Sequence, residues 1–240
     1  MARSIFTPPM RRSFLFLINC LLAALASYAQ PDEDRLGAWY MLFWSYDFKE
    51  SPFGLQGDYQ HRNWNMAGDL EQFMFRNGIT YRPGSGDVKF TLGYAYIENG
   101  TFGADNANFG ENRLYQEALL PQKVGDRFYI THRFRFEQRK LPDQDLRTRY
   151  RYFLSVNVPV NQPDLTKGAI YAAFYNELFI NGERTTIDDG NEVEIFDRNR
   201  LYGGMGLSLS DKSRLQLGYM RQSTDLWSKN QVQVGLHQRF

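Results

Sequence analysis

Residues 230–240 read NQVQVGLHQRF. Counting back from Phe240 in steps of two gives Gln238, Leu236, Val234 and Val232, and the positions between are Arg239, His237, Gly235, Gln233 and Gln231. One face is mostly apolar and the other is polar or glycine, the period-two pattern of a strand that meets lipid on one side and a polar lumen on the other. An amphipathic edge strand of a soluble sandwich alternates in the same way. The stretch therefore decides the fold together with the segments that precede it.

Those segments repeat the pattern. Residues 88–96 set Val88, Phe90, Leu92, Tyr94 and Tyr96 against Lys89, Thr91, Gly93 and Ala95, and residues 72–82 set Phe73, Phe75, Ile79 and Tyr81 against Gln72, Arg76, Thr80 and Arg82. In residues 55–62, Gln56, Asp58, Gln60 and Arg62 share a face opposite Leu55, Gly57 and Tyr59. Further strands are expected over 36–48, 113–120, 128–139, 147–158, 169–181, 200–209 and 215–222, with the facing of 169–181 left open. No segment has a helical period, so the choice is between sandwich and barrel. Long polar connections at 99–112 and 182–194 alternate with tight turns such as Pro83-Gly84-Ser85-Gly86, as expected of a barrel with long outer loops and short periplasmic turns. The expectation is an all-β, antiparallel transmembrane β-barrel of ten to twelve strands. Eleven segments are countable, whereas bacterial barrels use even numbers, so either 113–120 is not a full strand or a twelfth strand precedes Leu36.

Residues 1–29 have the make-up of a cleaved export signal: Arg3, Arg11 and Arg12 in front, an apolar run over 14–26, and Ser27-Tyr28-Ala29 as the small-residue cleavage site. The run is shorter than the roughly 20 residues of a spanning helix. Cleavage would leave residues 30–240 as one β-domain. The only cysteine, Cys20, departs with the signal, which excludes disulfides, thiolate metal ligands and a cysteine nucleophile. The signal also takes three of the 28 basic residues and none of the 27 acids, so the mature chain carries a net charge of −2. No basic excess points to nucleic acid.

The densest polar constellation lies on 128–139 and 147–158. Arg133, Arg135, Glu137 and Arg139 share one face, and Arg147, Arg149 and Arg151 share another. An arginine at the lipid midplane costs about 2 to 4 kcal/mol, so these must point inward. A hairpin whose paired numbers sum to 286 sets Glu137 opposite Arg149, Arg135 opposite Arg151 and Arg139 opposite Arg147. Like charges face each other twice, which calls for acids from other strands, with Asp58, Glu71, Glu117 and Glu177 as the candidates. The cluster is expected to be a lumen polar network that fills a small bore; the alternative is a positive constriction selecting anions. Nothing in the spacing pairs His61, His132 or His237 with Ser45, Ser155 or Ser208 as base and nucleophile. Asp188, Asp189, Asn191, Glu192 and Glu194 lack the ordered spacing of a calcium loop, and no nucleotide or cofactor fingerprint is present.

The stretches LGAWYMLFW (36–44), HRFRFEQR (132–139), RYRYFLSVN (149–157) and FDRNRLYGGMG (196–206) together resemble the domain-of-unknown-function 2490 family of outer-membrane proteins. The closing strand likewise resembles those of bacterial outer-membrane barrels, in which the terminal aromatic, here Phe240, is the assembly signal read by the barrel-assembly machinery. These resemblances imply an integral protein of a Gram-negative outer membrane, with outer-membrane lipid and the assembly machinery as partners. They bring no catalytic residue and no cofactor. The expected function is a non-enzymatic structural or weakly conducting barrel, the alternatives being a narrow anion-selective pore and a lipid-modifying enzyme.

Overall fold

The computed structural model describes residues 35–84, 86–102, 107–186 and 192–240; the expected export segment lies outside them. The strands are β1 (Gly37–Asp47), β2 (Phe53–Asn63), β3 (Leu70–Tyr81), β4 (Lys89–Gly100), β5 (Asn108–Val124), β6 (Phe128–Lys140), β7 (Arg147–Pro159), β8 (Ile170–Asn181), the two-residue β9 (Thr185–Thr186) and β10 (Glu192–Val193), β11 (Phe196–Ser208), β12 (Ser213–Ser223) and β13 (Ser228–Arg239). All but β9 and β10, which pair with each other, form one closed barrel in the circular order β1-β13-β12-β11-β8-β7-β6-β5-β4-β3-β2. Among the described residues there is no helix.

Eleven strands close the ring. The parity problem is solved by the seam: β1 pairs with β13 in parallel, from Gly37 opposite Gln231 to Ser45 opposite Arg239, whereas every other neighbouring pair is antiparallel. Neither repair anticipated from the sequence applies among the described residues. The doubtful fifth segment is a full strand, at 17 residues the longest. The long loop expected over 99–112 shrinks to the residues between Gly100 and Asn108, because Asn108, Gly110 and Asn112 continue β5 and pair across to β4. The connection after β8 contains the β9–β10 hairpin.

The two ends of the barrel differ. Phe240 lies with the turns after β1, β3, β5, β7 and β11, several of them tight; the Phe240 amide donates to the Ser45 carbonyl at 2.9 Å. The start of β1 lies at the other end, with the connections after β2, β4, β6, β8 and β12.

Alternation sets the layers. Ile79, Leu92, Phe134, Leu201 and Leu217 point outward and are more than half exposed. Ala95, Ile97, Tyr171, Ala173, Phe179 and Met220 point inward and are buried. The open facing of β8 is settled: Tyr171, Ala173, Tyr175, Glu177 and Phe179 look in, Phe174 and Ile180 out. It could not be read from alternation because both faces carry aromatic and aliphatic residues. Inward aromatics need glycines beside them. A Cβ at Gly206 would stand 2.0 Å from the Tyr171 ring, and one at Gly93 2.2 Å from the Tyr115 ring, so a side chain at either position would displace the ring.

Candidate functional site in the barrel lumen

The β6–β7 hairpin has the register expected from the sequence, with Glu137 opposite Arg149, Arg135 opposite Arg151 and Arg139 opposite Arg147. That register gathers guanidinium groups around single carboxylates. Glu137, 1% exposed, accepts from Arg149 Nη2 and from Arg151 Nη1, each at 2.6 Å. Arg149 also reaches Asp197 at 2.7 Å. Glu117 accepts from Arg135, whose Nε lies at 2.7 Å, and has Arg133 3.7 Å away. Glu177 accepts from Arg133 Nη2 at 2.5 Å and Arg151 Nε at 2.9 Å. Arg139 donates to Glu111 at 2.6 Å, as does Arg113. Arg147 donates to the Gln144 side chain at 3.1 Å and, among the described residues, forms no ion pair.

Two of the four expected acids, Glu117 and Glu177, thus meet this cluster. The other two do not. Asp58 pairs with Arg76 at 2.8 Å, and Glu71 accepts from the Trp39 indole at 2.8 Å, because β2 and β3 stand on the far side of the ring from β7. The acids missed in the sequence are Glu111 and Asp197. Glu111 alternates with Arg113, Tyr115 and Glu117, a signal hidden by the glycine and asparagines around it; Asp197 sits beside the bulge where the β11–β8 register shifts.

Rings lie flat against several guanidiniums. Arg133 lies over Phe153 at 4.5 Å, Arg135 over Tyr115 at 4.5 Å, and Arg151 and Arg200 over Phe179 at 4.4 and 4.6 Å. A desolvated guanidinium over a ring face gains up to about 2 kcal/mol. The lumen is therefore packed by alternating carboxylates, guanidiniums and aromatic faces.

A cavity of about 540 Å³ occupies the half of the lumen nearest Phe240. Its mouth is at the turn end, beside Lys212, Arg214 and Arg239, and its floor is at Trp39, Arg62, Arg200 and Gln233. Beyond the floor the bore is filled: Ile97, Glu111, Glu137, Gln222, Lys229 and Gln231 are each at most 1% exposed, and none of them lines the cavity. Among the described residues, the space ends at this layer.

The histidines are separate from one another. His132 faces outward and bonds the Tyr152 hydroxyl at 2.9 Å, His61 packs near Phe73, and His237 faces in, stacked on Phe43 at 4.7 Å with Gln216 at 3.2 Å. Ser208 donates to the Leu165 carbonyl. Among the described residues no group of acids or histidines is arranged to hold a metal ion; Asp188, Asp189 and Asn191 lie outside them.

A curated protein of Methylorubrum extorquens, described as uncharacterised, is 30% identical over 180 residues, covering 71% of this chain and 74% of its own. The model of the protein family of unknown function DUF2490 matches residues 36–233, a span running from the start of β1 into the closing strand. It contains every residue of the Arg/Glu network, and the chain belongs to this family.

Proposed function

We propose that the protein is an integral outer-membrane barrel of a Gram-negative bacterium, without enzymatic activity, whose own side chains block its lumen. The observation that carries this is the layer of buried ion pairs around Glu137 and Glu111, which fills the bore between the cavity floor and the far end. Charges are placed inside a barrel, and apolar groups outside, when the surrounding solvent is lipid and the backbone groups are satisfied by strand pairing. The apolar outer face, with Ile79 59%, Leu92 62% and Leu201 61% exposed, supports that reading, as do strands of 11 to 13 residues for most of the ring, long enough to cross a hydrocarbon core at a tilt.

Lipid is then the partner of the outer face, and the barrel-assembly machinery reads Phe240, which is 62% exposed at the end of the closing strand. A narrow anion-selective pore is the second reading, favoured by the cationic cavity wall. It requires the floor at Arg62 and Arg200 to open. Membrane fractionation with heat-modifiable gel mobility tests the placement: the protein is expected in the outer-membrane fraction with a mobility shift on boiling, and recovery as a soluble periplasmic protein without a shift would refute it.

A further inference from the structure

The cavity wall is not charge-balanced. Ten cationic side chains line it against four carboxylates, among the described residues. At the floor, Arg62 and Arg200 both lie over the same Trp39 ring, at 3.8 and 4.7 Å. Arg62 is 4% exposed, yet its hydrogen bonds go to amide oxygens, Gln60 and Gln72 each at 2.6 Å. Arg200 is 5% exposed; it donates to Gln222 at 2.7 Å, and its nearest carboxylate, Glu177, is 3.9 Å away. Gln233, 3% exposed beside them, accepts from Tyr175 at 2.8 Å while its own Nε2 has no partner. Buried cations whose hydrogen bonds go to neutral amides, and a buried amide donor without a partner, cost free energy that an anion would recover. Two guanidiniums over one ring and an amide on the residue paired with it, all lining the inner end of the cavity, have the chemistry of a receptor for a carboxylate or phosphate.

We propose that the cavity floor binds the anionic group of a small water-soluble organic acid or phosphate monoester, held by Arg62, Arg200 and Gln233, with its apolar body against Phe43, Tyr171 and Tyr202. The volume is that of a small-molecule site, and so is a wall that mixes aromatic faces with a few convergent donors. Entry is from the turn end, where Lys212, Arg214 and Arg239 draw anions inward. The wall is hydrogen-bonded all the way round, so a lipid has no lateral door and the ligand comes from water. This goes beyond the blocked-barrel reading and is compatible with it, because binding at a dead end needs no through-path; conductance and gel mobility test that reading separately.

Titration calorimetry of the refolded barrel in non-ionic detergent, with phenyl phosphate as the probe, is the test. Phenyl phosphate is expected to bind one to one, at least tenfold more tightly than inorganic phosphate or phenol. Arg62→Gln is expected to weaken it at least tenfold. Should that variant fail to refold, Arg214→Gln, half-buried at the mouth, is expected to weaken binding severalfold at low salt and much less at high salt. Affinity is expected to persist in phosphatidylglycerol nanodiscs. No binding heat, inorganic phosphate binding as tightly as phenyl phosphate, unchanged affinity in both variants, or displacement by the anionic lipid would each overturn the proposal.

Discussion

Glu137 receives guanidinium N–H groups from two strand positions, Arg149 across the hairpin and Arg151 one inward step along, and has Arg113 and Arg135 each 3.8 Å away. Replacing it with Gln keeps the volume and removes the charge that holds four cations together. Breaking a buried ion network by removing one partner costs about 3 to 5 kcal/mol. Glu137→Gln is therefore expected to lower stability against urea in lipid vesicles by about 3 kcal/mol. The exposed Arg82–Asp47 pair at the turn end is the control, since Arg82→Gln is expected to change stability by less than about 1 kcal/mol. Similar effects for the two variants would contradict a stabilising role for the lumenal network. The inward arginines were legible from the sequence because a lipid-facing side would penalise them, and Glu137 and Arg149 were legible as partners because a hairpin register has few solutions. The floor was not legible as a unit. Arg62 and Arg200 are separated by 138 positions in the chain and meet only through Trp39, on the strand that closes the ring.

Elements carry the next level of constraint. Gly206 on β11 leaves room for Tyr171 on β8, the residue it pairs with across the sheet. Gly206→Ala is expected to cost about 1 to 3 kcal/mol by overpacking, measured by the same urea titration, and Tyr171→Phe in the same chain is not expected to relieve it, because the ring carbon itself lies at 2.0 Å. Phe240 follows β13 past the last barrel pair, whereas Gln238 is already held by the Ser213 hydroxyl at 2.5 Å. A polar residue at Phe240 is expected to lower the yield of folded barrel in the outer membrane more than a polar replacement of Gln238 does, with equal yields counting against Phe240 as the assembly signal. The turn after β7 is tied to β5 and β6 by Asp164, which accepts from Lys123 and from the Tyr129 hydroxyl, each at 2.6 Å. These bonds hold its carboxyl below the ordinary value of 3.8. Because the folded value is the lower one, this tie is fully present above about pH 4 and is lost as pH falls through the folded value. Strands with one apolar and one polar face were legible from period two alone. The start of β5 was not, since a lumen accepts glycine, asparagine and glutamate, and those residues also make loops.

For the whole molecule, the parallel β1–β13 seam is the feature with the widest consequence. An even-stranded barrel returns its first and last strands to the same end; eleven strands place Gly37 and Phe240 at opposite ends. In the proposed membrane placement, with Phe240 at the periplasmic end, the start of β1 reaches the outer surface. Residues 30–240 contain no cysteine, which makes this testable by single-cysteine labelling: Asp143→Cys, in the connection after β6, is expected to react with an impermeant maleimide on intact cells, and Lys212→Cys, in the turn after β11, only after the outer membrane is permeabilised. The reverse pattern would invert the barrel. Strand count could be read from the sequence to within one, but the seam could not, because parallel and antiparallel neighbours impose the same alternation on each strand. The proposed blocked bore is the central property at this scale, and planar-bilayer conductance of the purified barrel tests it most directly. The ion-paired layer between the cavity floor and the far end predicts small or undetectable current. Steady anion-selective current that changes when Arg135 or Arg149 is replaced would contradict it.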